Sequence, residues 1–565
     1  MVESVCFENK YVFYIIGSNP IISNMFFFLI KYFLFYKKGF NTTLIFCLFF
    51  KNIPADEIFS INFYIENYFI KSVLFFELLP ELFLILYILY SLISIFNDLK
   101  YSCLFFFRWF FFYIIIFFVL LLKFFYFAWI PTQIILGFSF INCLYILFSK
   151  LTIIILTIFI LFIAKNKLQN SIYLNCIIEF PLIISFSLFF MFFLTSSYDF
   201  FSVYLNIEGL SLTLYVLSGI LYQSIISIEA TIKYFSLGAI STGILLFGIN
   251  IIFGLVGSLD FLEIQLFLGN SLILSYLLEL KISFMCILIG FFFKISAFPF
   301  HLWVADVYEG IWTPITAFFA IVIKVCLVLF FLRLIFNVMF NILFIFQPIL
   351  AFSAVGSMLI GGFNALKQVK IKRFIAFTSI NQIGFILLGV SCSNLIGLIS
   401  CIIYIILYAI TGIIFFTILL NTEHLITKKI MVYLSDLYSF SIYNNDNSKY
   451  LIIAILSMAG LPPLAGFLGK LFLFFSAIQA RLDITIFCSL LISIITTYYY
   501  LSFVRYIVFE KLYNLKLYYF IRKNKFNNIL ELLSIYLLLF IFFFKKKFIF
   551  FTSLSLSCIY PLIFY

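Results

Sequence analysis

The chain has 565 residues, of which 65% are hydrophobic and only 10% are charged, and its mean hydropathy is +1.22. Soluble domains carry about 25% charged residues, so this composition excludes a soluble globular protein. The formal net charge of +12 does not indicate nucleic-acid binding, because most basic residues lie in short connections between apolar runs.

Long apolar runs recur from residue 76 onward; residues 109–122, 244–256, 313–335, 395–420 and 484–500 are examples. A bilayer core about 30 Å thick needs about 20 helical residues, and a helix satisfies its own backbone hydrogen bonds in lipid. Strands of a membrane barrel would alternate apolar and polar residues, whereas these runs are apolar on all sides. The sequence therefore predicts an all-α polytopic membrane protein with about 14 transmembrane helices.

The chain divides into three parts. Residues 1–75 form a hydrophobic, aromatic extension to which the sequence assigns no role. Residues 76–510 are predicted to form one transmembrane domain, and residues 511–565 a basic loop with a closing helix or helices. The first ten residues contain two glutamates and no arginine, so they predict neither a signal peptide nor a transit peptide.

Ionisable side chains interrupt the apolar runs at a few positions: Glu208, Glu229, Lys233, Lys294, Lys324 and Lys470. A charge at the centre of a membrane helix costs about 2.5–3.5 kcal/mol on insertion scales, so such residues persist where they face a protein interior or a water path. One interpretation is that each lysine extends its amine to the membrane surface. The other is that the lysines face inward and carry protons. Glu229 and Lys233 are spaced i,i+4 and are predicted to pair on one helix face.

Buried lysines are suited to proton transfer. Burial lowers the pKa of a lysine and a nearby carboxylate raises it again, so a glutamate that moves relative to a lysine loads or unloads a proton. One pKa unit corresponds to about 1.4 kcal/mol, and moving one charge against 100 mV costs about 2.3 kcal/mol. A swing of about two pKa units therefore offsets that step. Arginine, which stays protonated, does not fit this role.

An internal echo links two of these lysines. Residues 290–294 read GFFFK and residues 466–470 read GFLGK, and both segments lie near prolines: Pro299 in the first case, Pro462 and Pro463 in the second. Transporters often contain inverted repeats whose matching helices are broken near the membrane midplane. The echo predicts such a repeat, and Pro299 is predicted to end the helix that carries Lys294.

The connections between the apolar runs give two further predictions. Basic residues cluster near residues 367–373, 428–429 and 511–525, and these connections are predicted to share the cytoplasmic or organelle-matrix side. The polar insertion at residues 439–449 is predicted to be a turn-rich loop.

The sequence shows no apparatus for redox chemistry. Eleven cysteines are scattered without a C-x-x-C pair, and we interpret them as small packing residues rather than as metal ligands or disulfide partners. There is no G-x-G-x-x-G nucleotide fingerprint and no cysteine cluster for an iron–sulfur centre. We therefore expect no cofactor and no metal in this chain.

Several blocks of sequence resemble one family. Residues 293–324, FKISAFPFHLWVADVYEGIWTPITAFFAIVIK, are followed by ALKQVKIKRFIAFTSINQIGFILLGV at 365–390 and SMAGLPPLAGFLGKLFLF at 457–474. In this order they resemble the antiporter-like proton-translocating subunits of respiratory complex I. Residues 179–219 and the LLPELF segment near residue 80 are similar to the N-subunit (chain 2) branch of that family.

The resemblance implies a fold of about fourteen helices with two inverted five-helix repeats, in each of which the fourth helix is broken. By resemblance, the proton relay would consist of Glu208, Lys233, Lys294, Lys324 and Lys470, in chain order. Glu229 and His301 also fit the family pattern, and His301 would bridge water between Lys294 and Lys324.

The resemblance also implies a function. The chain would be a core membrane-arm subunit that moves protons across the inner mitochondrial membrane, coupled to NADH:ubiquinone electron transfer in partner subunits. NADH, FMN, iron–sulfur clusters and ubiquinone would belong to those partners, which would include the antiporter-like chain 4 and the small chain 4L-type subunit, with phospholipids and no nucleic acid.

The sequence leaves two other functions open and also suggests where the chain is encoded. The alternatives are a cation/proton antiporter subunit, which has the same fold, and a structural scaffold without its own proton path. Phenylalanine makes up 86 of 565 residues. This bias leads to the hypothesis that the chain is encoded in an extremely T-rich genome, as in some organelles.

Overall fold

The computed structural model describes residues 78–97, 102–127, 133–135, 139–168, 176–269, 277–424, 431–438, 440–443, 445–510 and 519–521. The predicted extension of residues 1–75 lies outside these ranges, and so does most of the predicted C-terminal region of residues 511–565.

The described residues fold into a helical bundle with two small antiparallel sheets. The elements are α1 (Leu79–Asn97), α2 (Ser102–Phe127), β1 (Gln133–Ile135), β2 (Phe140–Asn142), α3 (Leu144–Leu168), α4 (Cys176–Ser196), α5 (Phe200–Ser218), α6 (Ile225–Val256), α7 (Phe261–Gly269), α8 (Leu277–Ile295), α9 (Leu302–Gly310), α10 (Thr313–Phe318), a π-helical turn (Phe319–Ile323), α11 (Lys324–Asn337), a 3-10 turn (Phe340–Ile342), α12 (Leu343–Leu366), α13 (Ile371–Ser391), α14 (Leu395–Asn421), β3 (Thr422–His424), a 3-10 turn (Leu434–Leu437), α15 (Phe440–Tyr443), α16 (Asn445–Ala459), α17 (Ala465–Gln479), α18 (Asp483–Val508) and β4 (Tyr519–Ile521). β1 pairs with β2, and β3 pairs with β4.

Nine helical segments in the described part of the chain are long and apolar enough to cross a membrane. This confirms the predicted all-α membrane fold. The total of about 14 helices stays a prediction, because shorter apolar helices such as Ala465–Gln479 are not among the nine and the closing region is not described.

The same order of elements occurs twice along the chain. α4, α5 and α6 precede the broken helix α8/α9 and the helix α10–α11; α12, α13 and α14 precede the broken helix α16/α17 and α18. Five membrane crossings are an odd number, so the second set starts on the side opposite to the start of the first set. The predicted pair of inverted five-helix repeats is therefore confirmed.

Both breaks lie at prolines. α8 and α9 flank Pro299, and α16 and α17 flank Pro462 and Pro463. At the first break, the Trp303 indole donates a hydrogen bond of 3.2 Å to the Phe293 carbonyl. The same carbonyl accepts from the Ser296 amide at 3.1 Å, so the indole ties the start of α9 to the last turn of α8.

The two G-F-x-x-K segments do not occupy equivalent positions in the repeats. Lys294 lies in the last turn of α8, before the first break, whereas Lys470 lies in α17, after the second. The echo is therefore not a product of the repeat. Its glycines serve separate packing contacts, since a Cβ at Gly290 would meet a side chain of α6 at 2.8 Å and a Cβ at Gly466 would overlap the Ser457 carbonyl oxygen.

Replacing Gly466 by alanine is expected to destabilise the second break. The added methyl group would occupy the space of the Ser457 carbonyl oxygen, so α16 and α17 would have to move apart. Overpacking of this kind costs about 1–3 kcal/mol, which thermal unfolding of the purified protein would measure. Gly254→Ala is the matched control, because a Cβ there meets nothing within 4 Å. Equal losses in the two variants would contradict the packing interpretation.

The centre of the described bundle is the helix formed by α10, the π turn and α11. Its span is buried along its whole length, and α13 is nearly as deeply buried. The π turn changes the helical register directly before Lys324, and the Tyr408 hydroxyl donates to the Ala320 carbonyl within it at 2.9 Å. Because the whole span is buried, Lys324 faces protein rather than lipid.

Arg333 fixes α11 to the turn between α4 and α5. Its guanidinium donates to the Thr195 carbonyl at 2.5 Å and to the Ser197 carbonyl. These carbonyls lie at the C-terminal end of α4, where a cation is stabilising. The contact positions the start of α5, which carries Glu208, relative to α11, which carries Lys324.

The basic connections meet on one face of the bundle. The Ile371 amide donates to the Val432 carbonyl and the Leu434 amide to the Val369 carbonyl, each at 2.9 Å, which joins the connection before α13 to the one after α14. The pairing of β3 with β4 then joins the segments after α14 and after α18. The described parts of these connections therefore share one side, while the identity of that side stays a prediction.

The predicted loop at residues 439–449 is wrong where the structure describes it, because Phe440–Tyr443 form α15 and the rest belongs to α16. Asn445 begins α16, and Asp446 lies in the first turn of that helix. A carboxylate at a helix N-terminus is stabilising, so the polar residues start the helix instead of interrupting it.

Candidate functional site

Three lysines of the predicted relay are buried inside the protein. Lys294, Lys324 and Lys470 expose 9%, 2% and 5% of their surface. A lysine that extends to the membrane surface keeps its amine in water, so these side chains do not fit that interpretation. They face the interior of the bundle, as the inward-facing interpretation requires.

Glu208 on α5 interacts electrostatically with Lys294 on α8. Glu208 is half-buried, and one of its carboxylate oxygens has no hydrogen-bond partner among the described residues. The Lys294 amine likewise has no such partner within the described part of the chain, and it lies 6.0 Å from the centre of the Tyr215 ring. Glu208 and Lys294 are therefore coupled electrostatically without a direct ion pair in this arrangement.

A small cavity separates Lys294 from Lys324. Its volume is about 20 Å³, and its walls include Tyr234, Trp303 and Tyr308. A space of this size admits about one water molecule. Because both lysines line the cavity, a water molecule in it would lie between them.

Lys324 is held by neutral groups. Its amine donates a hydrogen bond of 2.7 Å to the Ser379 hydroxyl on α13 and lies 5.7 Å from the centre of the Tyr308 ring. A hydroxyl oxygen and an aromatic face both stabilise an ammonium group without neutralising it. This environment suits a lysine that gains and loses a proton.

Lys470 closes the second break. Its amine donates 2.7 Å to the carbonyl of Ala459, the last residue of α16, and lies 5.0 Å from the centre of the Phe385 ring. The C-terminal end of a helix carries partial negative charge, so this position favours an ammonium group. A cleft of about 440 Å³ reaches Lys470 from between α17 and α18, where Ser493 and Thr497 form part of its wall.

Neutral polar side chains connect the two halves along α13. One turn beyond Ser379, the Gln382 amide donates to the Tyr500 hydroxyl at 3.2 Å and its oxygen accepts from the Tyr404 hydroxyl. Phe385, the contact of Lys470, follows on the same helix. The sequence analysis missed these residues, although the polar run TSINQ at 378–382 in an otherwise apolar helix was a usable signal.

Lys233 does not contact Glu208. Its amine lies 2.7 Å from Glu229 and 3.2 Å from Asp306, and its side chain is 44% exposed. The predicted i,i+4 pair with Glu229 is confirmed. The resemblance places Glu208 and Lys233 in one relay, but they are not in contact in this arrangement, and Asp306, which the sequence analysis did not single out, is the second partner of Lys233.

His301 is buried at the start of α9, in the N-cap position. Its ring centre lies 6.0 Å from that of Phe298. It is not one of the residues that line the cavity between Lys294 and Lys324. The water bridge through His301 that the resemblance implies therefore stays a prediction.

Within the described residues, no group of three or more histidine, cysteine, aspartate or glutamate side chains is placed to hold a metal ion. Five of the described cysteines are free thiols: Cys286, Cys326, Cys392, Cys401 and Cys488.

Comparisons with known proteins agree on the central part of the chain. A family model described as NADH:quinone oxidoreductase/Mrp antiporter, TM, matches residues 197–496, which include every candidate site residue. NADH-quinone oxidoreductase subunit N 1 of Rhizobium meliloti (strain 1021) is 37% identical over 336 residues, covering 59% of this chain and 68% of that protein. NADH-ubiquinone oxidoreductase chain 2 of Marchantia polymorpha is 36% identical over 323 residues, covering 57% and 65%.

Two solved structures have a similar fold. A chain of respiratory complex I from Thermus thermophilus gives a TM-score of 0.69 at 22% identity, over 83% of this chain and 98% of that one. A chain of the Mrp complex from Dietzia sp. DQ12-45-1b gives 0.72 at 16% identity, over 85% and 97%. At these identities the likeness shows the fold alone.

Proposed function

The chain belongs to the NADH:quinone oxidoreductase/Mrp antiporter transmembrane family, and we propose that it is the N-type (chain 2) subunit of the membrane arm of respiratory complex I. The fold alone does not separate complex I from Mrp antiporters, because chains of both match it. The sequence relatives separate them, since they are subunits N and chain 2 of NADH:quinone oxidoreductases. The antiporter alternative is not favoured.

The observation that carries this proposal is the row of buried lysines that runs from the first helix break to the second. Lys294, Lys324 and Lys470 lie inside the protein, in positions that lipid-facing lysines do not occupy. We infer that a proton passes from Lys294 across the water-sized cavity to Lys324, and then along α13 toward Lys470. Glu208 would hold the charge on Lys294 until it is displaced.

Conformational or electrostatic coupling must drive these steps. Moving one charge against 100 mV costs about 2.3 kcal/mol. A change in the distance between Glu208 and Lys294 that shifts the pKa of the lysine by about two units would supply that free energy. The hydrogen-bonded start of α5, fixed by Arg333, limits how far Glu208 itself can move. Motion of the broken helix that carries Lys294 is the more direct way to change the distance.

The finer parts of the proposal concern partners and place. NADH oxidation by FMN and iron–sulfur clusters, and ubiquinone reduction, are assigned to partner subunits, with no cofactor in this chain. The antiporter-like chain 4, the small chain 4L-type subunit and phospholipids are the proposed neighbours. The Marchantia relative supports an inner mitochondrial membrane location and organelle encoding, whereas the other named relative is bacterial.

The test is a native gel of membranes solubilised in mild detergent, stained for NADH dehydrogenase activity. Peptides of this chain should occur in the large active band. Migration apart from that band would contradict the proposal, and sodium- or potassium-dependent proton exchange would then be the activity to measure. A scaffold without a proton path would show normal proton yield per NADH after replacement of the buried lysines.

A further inference from the structure

The basic segment that begins α13 is tied to α9, the second half of the first broken helix. Glu309 accepts hydrogen bonds or ion pairs from Lys370 and Arg373. Lys372 donates to the Ile311 carbonyl at 2.5 Å, at the C-terminal end of α9. These side chains therefore do more than set membrane orientation, because they join the first repeat to the second.

Asp306 is shared between two cations that belong to different repeats. One carboxylate oxygen lies 3.2 Å from the Lys233 amine on α6, and the other lies 3.1 Å from the Arg373 guanidinium on α13. Lys233 is also paired with Glu229 on its own helix. The lysine of the predicted relay is therefore held by carboxylates other than Glu208.

We propose that Asp306 is a positioning residue for Lys233. In one state, Asp306 is the counter-ion that holds the Lys233 amine away from Glu208. In another state, Asp306 releases the amine and stays paired with Arg373. This inference rests on the proposed function. It assigns Asp306 no proton of its own, so it acts only through the position of Lys233.

The strength of the contacts fits a reversible role. Lys233, Asp306 and Arg373 are each about two-fifths exposed, and ion pairs in such positions contribute little to stability. A buried pair is much more costly to break and would hold Lys233 permanently. Asp306 stays paired with Arg373 when Lys233 leaves, so the exchange leaves Asp306 with a counter-ion.

The position of Asp306 also connects the exchange to the cavity. α9 carries Asp306 together with Trp303 and Tyr308, both of which line the cavity between Lys294 and Lys324. Trp303 stacks on Tyr234, the neighbour of Lys233 on α6, with ring centres 4.8 Å apart. A shift of α9 that follows release of Lys233 would therefore reach the cavity wall.

The experiment compares variants of the whole complex in proteoliposomes, with assembly checked on native gels and proton yield per NADH as the readout. Asp306→Asn is expected to lose proton yield to the extent that Lys233→Gln does, and the double variant is expected to lose no more than Lys233→Gln alone. Asp306→Glu, which keeps the carboxylate, should restore part of the yield. Glu263→Gln, at an exposed position on α7, is the control, because Glu263 takes no part in the contacts of Lys233, Asp306 and Arg373, and its yield should be unchanged.

Several outcomes would overturn the inference. These are a normal yield in Asp306→Asn, additive losses in the double variant, a loss in Glu263→Gln as large as in Asp306→Asn, and a normal yield in Lys233→Gln beside a defective Asp306→Asn. A normal yield in both Asp306→Asn and Lys233→Gln, with Lys324→Ala defective, would remove this inference and leave the proposed function standing.

A second measurement decides the matter if Asp306→Asn does not assemble. A carbodiimide joins a carboxylate to an amine in contact, and both side chains are accessible enough to react. In the unaltered complex, mass spectrometry should find the Lys233–Asp306 cross-link at rest and less of it during NADH turnover. The same yield in both states, or no cross-link in either, would overturn the inference.

Discussion

Replacing Lys324 by alanine is expected to stop proton transfer through the centre of this subunit while leaving the complex assembled. Lys324 is buried, donates to Ser379 and lines the cavity opposite Lys294. Loss of a positioned proton-transfer group slows a step by about 10²–10⁴-fold. The measurement is proton yield per NADH in proteoliposomes, beside NADH oxidation and a native gel.

Two further variants show whether the lost property is proton exchange. Lys324→Arg keeps a positive charge but cannot release its proton in the working range of pH, so it is expected to be as defective as alanine. Lys367→Ala, which removes an exposed lysine before α13, should pump normally. Normal yield in Lys324→Ala, with the complex intact, would remove Lys324 from the proton path and favour the scaffold alternative.

Replacing Glu81 by glutamine is expected to have the largest effect on stability. Glu81 on α1 lies 2.5 Å from Lys150 on α3, with both side chains buried, and it also interacts electrostatically with Lys123 on α2. Glu81→Gln removes the negative charge that these two buried lysines share. Breaking a buried pair by deleting one partner costs about 3–5 kcal/mol, which should appear as a lower thermal transition and reduced assembly.

The comparison of variants at this cluster separates charge from packing. Lys150→Met keeps Glu81 near Lys123, so its loss should be smaller than that of Glu81→Gln. Glu263→Gln, at an exposed position on α7, is the control and should stay within about 0.5 kcal/mol of the unaltered chain. If Lys150→Met were the more damaging variant, packing of the lysine stem rather than the shared charge would hold α1 and α3 together.

Local chemistry made the main architecture predictable. Apolar runs too long for a soluble core and prolines beside the two G-F-x-x-K segments indicated a membrane bundle with two broken helices, and the structure has both. Lys324 was singled out because apolar residues surround it in the sequence, and the same surroundings bury it in the fold. These inferences succeed because the properties involved act within one or two helical turns.

Contacts between distant segments were not predictable in the same way. Lys233 and Asp306 are 73 residues apart, and an aspartate near the end of a helix gives no local sign of its partner. The ion pair of Glu81 and Lys150 spans 69 residues and was missed for the same reason. The register change before Lys324 depends on a π turn, which a periodicity of 3.6 residues does not reveal.

The neutral character of the middle of α13 has a consequence for the complex at rest. Between Lys324 and Lys470 the polar contacts described above are made by an amide and phenols, Gln382 with Tyr404 and Tyr500. Amides do not titrate and phenols titrate near pH 10, so an excess proton finds no group there on which to stay. When nothing drives proton transfer, this stretch therefore blocks the passage of protons between the two halves of the subunit. Protons then do not return under the membrane potential through the groups that carry them forward.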